Sequence, residues 1–188
     1  MEQIRAYFEQ ITRLSDEDWD FFLSKLTRVV MPKKALLLKA GTVENHLSFI
    51  EQGIVRHYIP KIENDITYAF SFAGEFVSGY ESFLTRTPSI STIETLTECI
   101  FWQVKYDDLE AIYQQTKAGN IIGRKASEML FIEKAKRELS LLNDTAEERY
   151  LNLFKEQPQL IKFIPQKYLA SYIGITPQAL SRIRKRIS

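Results

Sequence analysis

One cysteine and two histidines in 188 residues leave little material for several kinds of chemistry. A lone Cys99 supports no internal disulfide framework and no thiolate cluster for zinc or iron–sulfur. His46 and His57 cannot supply the axial set of a haem, and a single histidine in a strand is ordinarily a hydrogen-bonded structural residue. No nucleophile–base pair stands in a motif context. Asp107 and Asp108 fall where a helix begins, so capping accounts for them without acid–base chemistry. The chain therefore does not read as an enzyme, and no metal site is expected. There is no apolar run long enough for a bilayer and no signal peptide, which leads to the expectation of a cytoplasmic protein without a membrane partner. Neither sign of charge dominates, the net being +1. That balance hides an asymmetry: residues 145–188 carry 8 basic and 3 acidic side chains, residues 1–144 carry 17 and 21. A basic end on a slightly acidic body suits a module that meets nucleic acid at one end.

The basic end also has the most specific pattern. Leu169 and Ile173 are four apart on one inward stripe, and Leu180, Ile183 and Ile187 make a second at three–four spacing. Ala170 is small enough for a second helix to cross over it. Gly174 stands where the first helix must stop and the backbone take positive φ. Thr176 offers an N-cap oxygen and Pro177 a preset φ for a first helical residue. These choices together predict a helix-turn-helix. On the second helix Gln178, Arg182 and Lys185 share an outward side bordered by Ser181. Gln and Arg side chains suit adenine and guanine edges in a major groove. Arg184 and Arg186 flank that side, where phosphates would lie.

At the other end, Ile4, Tyr7, Phe8, Ile11 and Leu14 predict one helix. Ser15 with Asp16, Glu17 and Asp18 predicts a capping box opening a second through Trp19, Phe22, Leu23 and Leu26. From Arg28 to about Val104 the period changes to short strands. Leu47–Ile50 and Ile54–Ile59 read as a hairpin with Gly53 at the bend, Ile66–Phe72 as another strand, and Phe72–Val77 as a glycine-bearing turn. Ser91–Leu96 and Ile100–Val104 complete a set that predicts a small antiparallel barrel or roll. A helix follows from Tyr106. Residues 119–142 predict one long helix, with Ile122, Ala126, Met129, Ile132, Ala135, Leu139 and Leu142 recurring at threes and fours. A two-helix seam and packing on the chain's own barrel explain that stripe equally well. Asn143–Asp144 break it, and Thr145 to Glu148 predicts a second capping box.

Helices, β-roll, long helix and helix-turn-helix in this order resemble the Crp/Fnr family of transcription regulators. The resemblance runs over nearly the whole chain. It is carried by FIEQG (Phe49–Gly53), FAGEFVSGY (Phe72–Tyr80), LTEC (Leu96–Cys99) and ITPQALSRIRK (Ile175–Lys185). It implies an α+β chain: a cyclic-nucleotide-binding-like β-roll, a double-stranded β-helix, with flanking helices over 1–118; a dimerisation helix over 119–142; and a DNA-binding helix-turn-helix over 143–188, lacking a full wing.

The same resemblance implies a homodimer on double-stranded, palindromic DNA, with RNA polymerase a further candidate partner. DNA contacts would fall to Thr176, Pro177, Gln178, Ser181, Arg182 and Lys185. The seam would use Ile122, Ala126, Met129, Ile132 and Ala135. A ligand would meet Gly74, Glu75, Phe76, Val77, Gly79, Tyr80, Glu81 and Arg86. Cyclic-AMP-binding members grip the cyclic phosphate with an Arg-Ser pair after a Gly-Glu-Leu turn. Here the arginine position falls on Ser89 and its partner on Ile90, and Ser78-Gly79-Tyr80-Glu81 is not the family's turn, which argues against cyclic AMP and leaves no certain cofactor. A phosphate without its arginine loses a charge-assisted bidentate contact, of order a few kcal/mol. Two other readings stay open: a small-molecule-binding or cupin-like enzyme, and a protein-interaction module on the same fold.

Overall fold

The computed structural model describes residues 2–187. The first two helices are α1 (Glu2–Glu9) and α2 (Asp16–Lys25). The Ser15 hydroxyl caps α2 by accepting the Asp18 N–H at 3.1 Å. The expected reciprocal box does not form. Asp18, one methylene shorter than glutamate, turns its carboxylate instead to the N–H groups of Lys117 (3.4 Å) and Ala118 (3.2 Å), just before a later helix starts.

Among the described residues, eight strands form two four-stranded sheets. They are β1 (Thr27–Met31), β2 (Leu36–Leu38), β3 (His46–Gln52), β4 (Ile54–Ile59), β5 (Ile66–Phe72), β6 (Phe76–Val77), β7 (Thr92–Thr95) and β8 (Cys99–Lys105). One sheet has the order β1-β8-β3-β6 and the other β2-β7-β4-β5. In the first, antiparallel register sets Phe49 opposite Trp102 and Ile50 opposite Phe101. Period-two alternation then sends neighbours to opposite faces. Ile50, Val55, Val77, Ile93, Cys99 and Phe101 fill one apolar cluster. Phe49 and Val104 point the other way, into a second cluster with Ile4, Phe8, Trp19, Phe22 and Ile112 from the helices.

The hairpin expected at Gly53 is corrected by this topology, because β3 and β4 belong to different sheets. Gly53 is where the chain changes sheet. Its φ is +110°, and a Cβ there would lie 2.4 Å from the Cys99 Sγ and 2.7 Å from the Glu98 carbonyl oxygen. Burial pushes the Cys99 thiol pKa up, so this cysteine packs as an apolar group.

The remaining helices are α3 (Tyr80–Thr85), α4 (Tyr106–Gln115), α5 (Gly119–Asn143), α6 (Ala146–Glu156), α7 (Pro158–Phe163), α8 (Gln166–Ile173) and α9 (Pro177–Ile187). The short α3 and α7 were not anticipated. Asp107 and Asp108 do not cap α4, whose N-cap is Lys105; they lie in its first turn, and Asp108 pairs with Lys25 at 3.2 Å. The α+β order expected from sequence is the one observed. Two compact units divide the chain: Met1–His57 with Phe70–Glu128, and Tyr58–Ala69 with Met129–Ser188. No helix among the described residues is long and apolar enough to cross a membrane.

Gly53→Ala should destabilise the fold by about 2–4 kcal/mol, combining left-handed backbone strain with overpacking against Cys99. Urea unfolding measures it directly; a loss below about 0.5 kcal/mol would mean the strands re-register freely around this point.

Candidate nucleic-acid interface and the turn of the roll

In the second unit, α8 and α9 pack through Leu169, Ala170, Ile173, Leu180 and Ile183, all buried. Gly174 (φ +82°) ends α8; its N–H meets the Ser171 carbonyl at 3.1 Å, and the Ile175 N–H reaches the Ala170 carbonyl at 3.0 Å. That pair of bonds is a Schellman motif. The Thr176 hydroxyl then accepts the Ala179 N–H at 3.2 Å, opening α9. With Leu180 and Ile183 turned inward, Thr176, Pro177, Gln178, Ser181, Arg182 and Lys185 are all exposed. Ile187, expected to continue the inward stripe, is 38% exposed and closes it only partly.

Three groups that sequence reasoning did not single out hold α8 in place. The Arg137 guanidinium of α5 lies 3.7 Å from the Tyr172 ring centroid and donates from Nη2 to the Tyr172 carbonyl. Arg149 of α6 donates through Nε to the Ile173 carbonyl at 2.9 Å and through Nη1 to the Asp144 carbonyl at 2.5 Å. Two cations thus satisfy the last carbonyls of α8, where the helix dipole is negative. Burial pushes the Arg137 pKa down and the Tyr172 hydroxyl pKa up. Ser171 accepts the Thr67 N–H and donates to the Asp65 carbonyl, both at 2.9 Å, tying the β4–β5 turn to the same helix.

The second capping box forms as expected: Thr145 Oγ1 accepts the Glu148 N–H at 3.2 Å, and Glu148 Oε2 accepts the Thr145 N–H at 2.8 Å. Those bonds hold the Glu148 pKa below its ordinary 4.5. At the basic end, Arg186 Nη2 meets Glu147 Oε2 at 2.5 Å.

Along α5 the expected seam residues separate. Ile122 is buried in the core of the first unit with Ile4, Phe8 and Ile112, and so is corrected to a structural residue of its own domain. Gly123 lies against Tyr113, where a Cβ would come within 2.7 Å of the ring; burial pushes the Tyr113 hydroxyl pKa up to about 12. Ala126 and Ala135 are half-buried. Met129 and Ile132 are each about half exposed, and Phe131, Leu139 and Leu142 are more open still.

The residues expected around a ligand are mostly engaged in building the roll. Gly74 donates to the Ile50 carbonyl at 2.8 Å, and Glu75 Oε2 accepts the Phe72 N–H at 3.0 Å, closing its own turn. Phe76 and Val77 belong to the apolar clusters. The Tyr80 hydroxyl lies 3.5 Å from Ser127 Oγ, and Glu81 is exposed. Arg86 is not free. Its Nη1 donates to the Glu44 carbonyl (2.8 Å) and the Phe83 carbonyl (3.2 Å), its Nη2 donates to Asn45 Oδ1 (2.6 Å), and its guanidinium covers the Tyr106 ring. Ser89 is buried, exchanging bonds with Ser91 through its hydroxyl, while Ile90 is 69% exposed. Gly79 donates to a carboxylate not foreseen from sequence, that of Glu44, at 3.3 Å.

Residues 28–116 are matched by the family model of the cyclic nucleotide-binding domain. No curated protein matches the chain by sequence. Among solved structures, the c-di-GMP-responsive global regulator CLP of Xanthomonas campestris is 17% identical over 92% of this chain and 91% of its own, at a TM-score of 0.69. A CooA mutant from Carboxydothermus hydrogenoformans is 17% identical over 93% and 85%, at 0.71. The catabolite activator protein of Thermus thermophilus is 20% identical over 93% and 84%, at 0.57. These neighbours are regulators of the Crp/Fnr family, not enzymes, and the fold is theirs.

Arg137→Ala should cost the second unit about 2–3 kcal/mol, from the lost charged hydrogen bond and ring contact. Both tryptophans, Trp19 and Trp102, lie in the first unit. An early helical melting phase invisible to tryptophan fluorescence is therefore expected; coincident single transitions at wild-type temperature would remove Arg137 from this role. The depressed Glu148 pKa makes the α6 cap stabilising above the ordinary carboxylate value and lost as pH falls through the lowered one. The protection factor of the Thr145 amide, whose N–H the carboxylate accepts, should fall over that acidic window and stay flat above it.

Proposed function

We propose that this chain, which has the fold of the Crp/Fnr regulators and a cyclic nucleotide-binding domain over residues 28–116, is a homodimeric, sequence-specific DNA-binding regulator. One observation carries the reading: Gln178, Ser181, Arg182 and Lys185 stand exposed on α9 while Leu180 and Ile183 bury its opposite side. A basic helix held rigidly by its apolar half, and presenting amide and guanidinium groups outward, is suited to base edges in a major groove. Arg184 and Arg186 on the flanks suit phosphates. Residues 143–188 are the DNA-binding domain in this reading. The long helix, residues 119–142, is the pairing element. Its seam is centred on Met129, Ile132, Leu139 and Leu142, with Ala135 between them, because these apolar side chains remain open to a second copy. A two-fold dimer of such helices requires a palindromic site with half-sites about one helical turn apart.

The roll is the regulator's sensing or structural domain, and cyclic AMP is not its effector. Ser89 has no cation to offer a phosphate and its hydroxyl is already bonded to Ser91.

Selection of duplexes from a random pool is the direct test, a palindrome being the expected outcome. Binding should weaken steeply with salt, by about 0.9 log unit in affinity per log unit of salt for each neutralised phosphate. Salt-independent or absent binding to any duplex would end the regulator reading. On the selected site Arg182→Ala should lose ~1–3 kcal/mol while bulk duplex is affected less; equal losses would contradict base readout. Ile132→Asp should yield monomer in light scattering, and an unchanged dimer would place the seam elsewhere.

A further inference from the structure

Glu44 stands in the loop between β2 and β3 with only 4% of its surface exposed. A carboxylate out of water is costly unless hydrogen bonds replace its hydration. Here Oε1 accepts the N–H groups of Asn45 (2.9 Å) and His46 (3.0 Å), and Oε2 accepts that of Gly79 (3.3 Å). Its main chain is used as well. The Glu44 N–H donates to Ser82 Oγ at 3.0 Å, and its carbonyl accepts from Arg86 at 2.8 Å. Every polar group of Glu44 is bonded, and all but the Asn45 and His46 contacts tie this loop to the 79–86 segment. Gly79 is matched to it. A Cβ there would fall 2.3 Å from a Leu38 methyl and 3.8 Å from Glu44 Oε2.

We infer that Glu44 is a built-in substitute for an anionic ligand: its carboxylate occupies the buried point where three backbone N–H groups converge, and so excludes a nucleotide phosphate from it. The domain matches a family named for ligands that carry one phosphodiester charge. Three N–H donors already given to one anion are not available to a second, and like charges brought together in a buried setting repel strongly. A covalently attached carboxylate, always present at high effective concentration, outcompetes a free one. The segment from Gly79 to Arg86 is thereby held closed without any cyclic nucleotide. This rests on the roll being the ligand-type domain of a regulator, but its test requires no DNA.

Glu44→Ala removes one CH₂–COO⁻ unit, for which acetate is the missing fragment. In the full-length protein, amide exchange at Asn45, His46 and Gly79 should speed up at least tenfold in the variant. Acetate should restore protection with saturation, and chloride at equal ionic strength should not. Unchanged protection at Gly79, or acetate acting no better than chloride, would overturn the inference. Should Glu44→Ala fail to fold, Glu44→Gln keeps the shape but offers one acceptor oxygen. At least one of the three amides should then exchange faster, and wild-type protection at all three would equally overturn it. Titrating the wild type with cyclic AMP in a calorimeter should give no saturable heat; tight binding with Glu44 intact would also overturn the inference. A protein that passes these tests yet binds no duplex would leave Glu44's role standing and remove only the regulator reading.

Discussion

Leu180 has no accessible surface, and everything α9 offers outward follows from that burial. A helix of eleven residues with four cations and no acidic side chain has little reason to be stable alone. Its conformation is supported by the apolar contact with α8, and α8 is in turn fixed at its C-terminal end by two guanidinium groups and by the left-handed Gly174. Remove that chain of supports and Gln178 and Arg182 become side chains on a disordered basic tail, able to find phosphates but not to hold a register on bases.

The long helix has a different logic. Its first turns belong to the roll: Ile122 is in the core, Gly123 fits under Tyr113, and Asp18 satisfies the N–H groups just before the helix begins. Further along, Met129, Ile132, Leu139 and Leu142 continue the run of threes and fours but stay open. One helix therefore carries a stripe that is core at its start and uncovered beyond it, which is why the pattern alone could not decide between a self-packed helix and a seam.

What was legible in the sequence was what local chemistry dictates. Gly174, Thr176 and Pro177 each have one good reason to stand where they do, and their spacing located the helix-turn-helix to the residue. Thr145 and Glu148 announced their box in the same way. Strand pairing was not legible at Gly53, because alternation says which face a side chain takes and is silent about which strand lies beside it. Ser15 and Asp18 mimicked a capping box, but a distant pair of amides held the stronger claim on the carboxylate. Glu44 had no signal at all. A glutamate in a polar loop looks like any solvated residue until the fold brings Gly79 to it, and Arg137 on a charged helix was hidden for the same reason.

The ion pair between Arg186 and Glu147 has one more implication. On a DNA-bound reading, the Arg186 guanidinium meets a phosphate with an acid already on its Nη2, so its charge is partly balanced before DNA arrives and it is not a bare cation. Such a residue releases few counterions and adds little to non-specific attraction. The arginine is in effect kept on a leash, which favours geometry over mere charge in choosing where the protein settles.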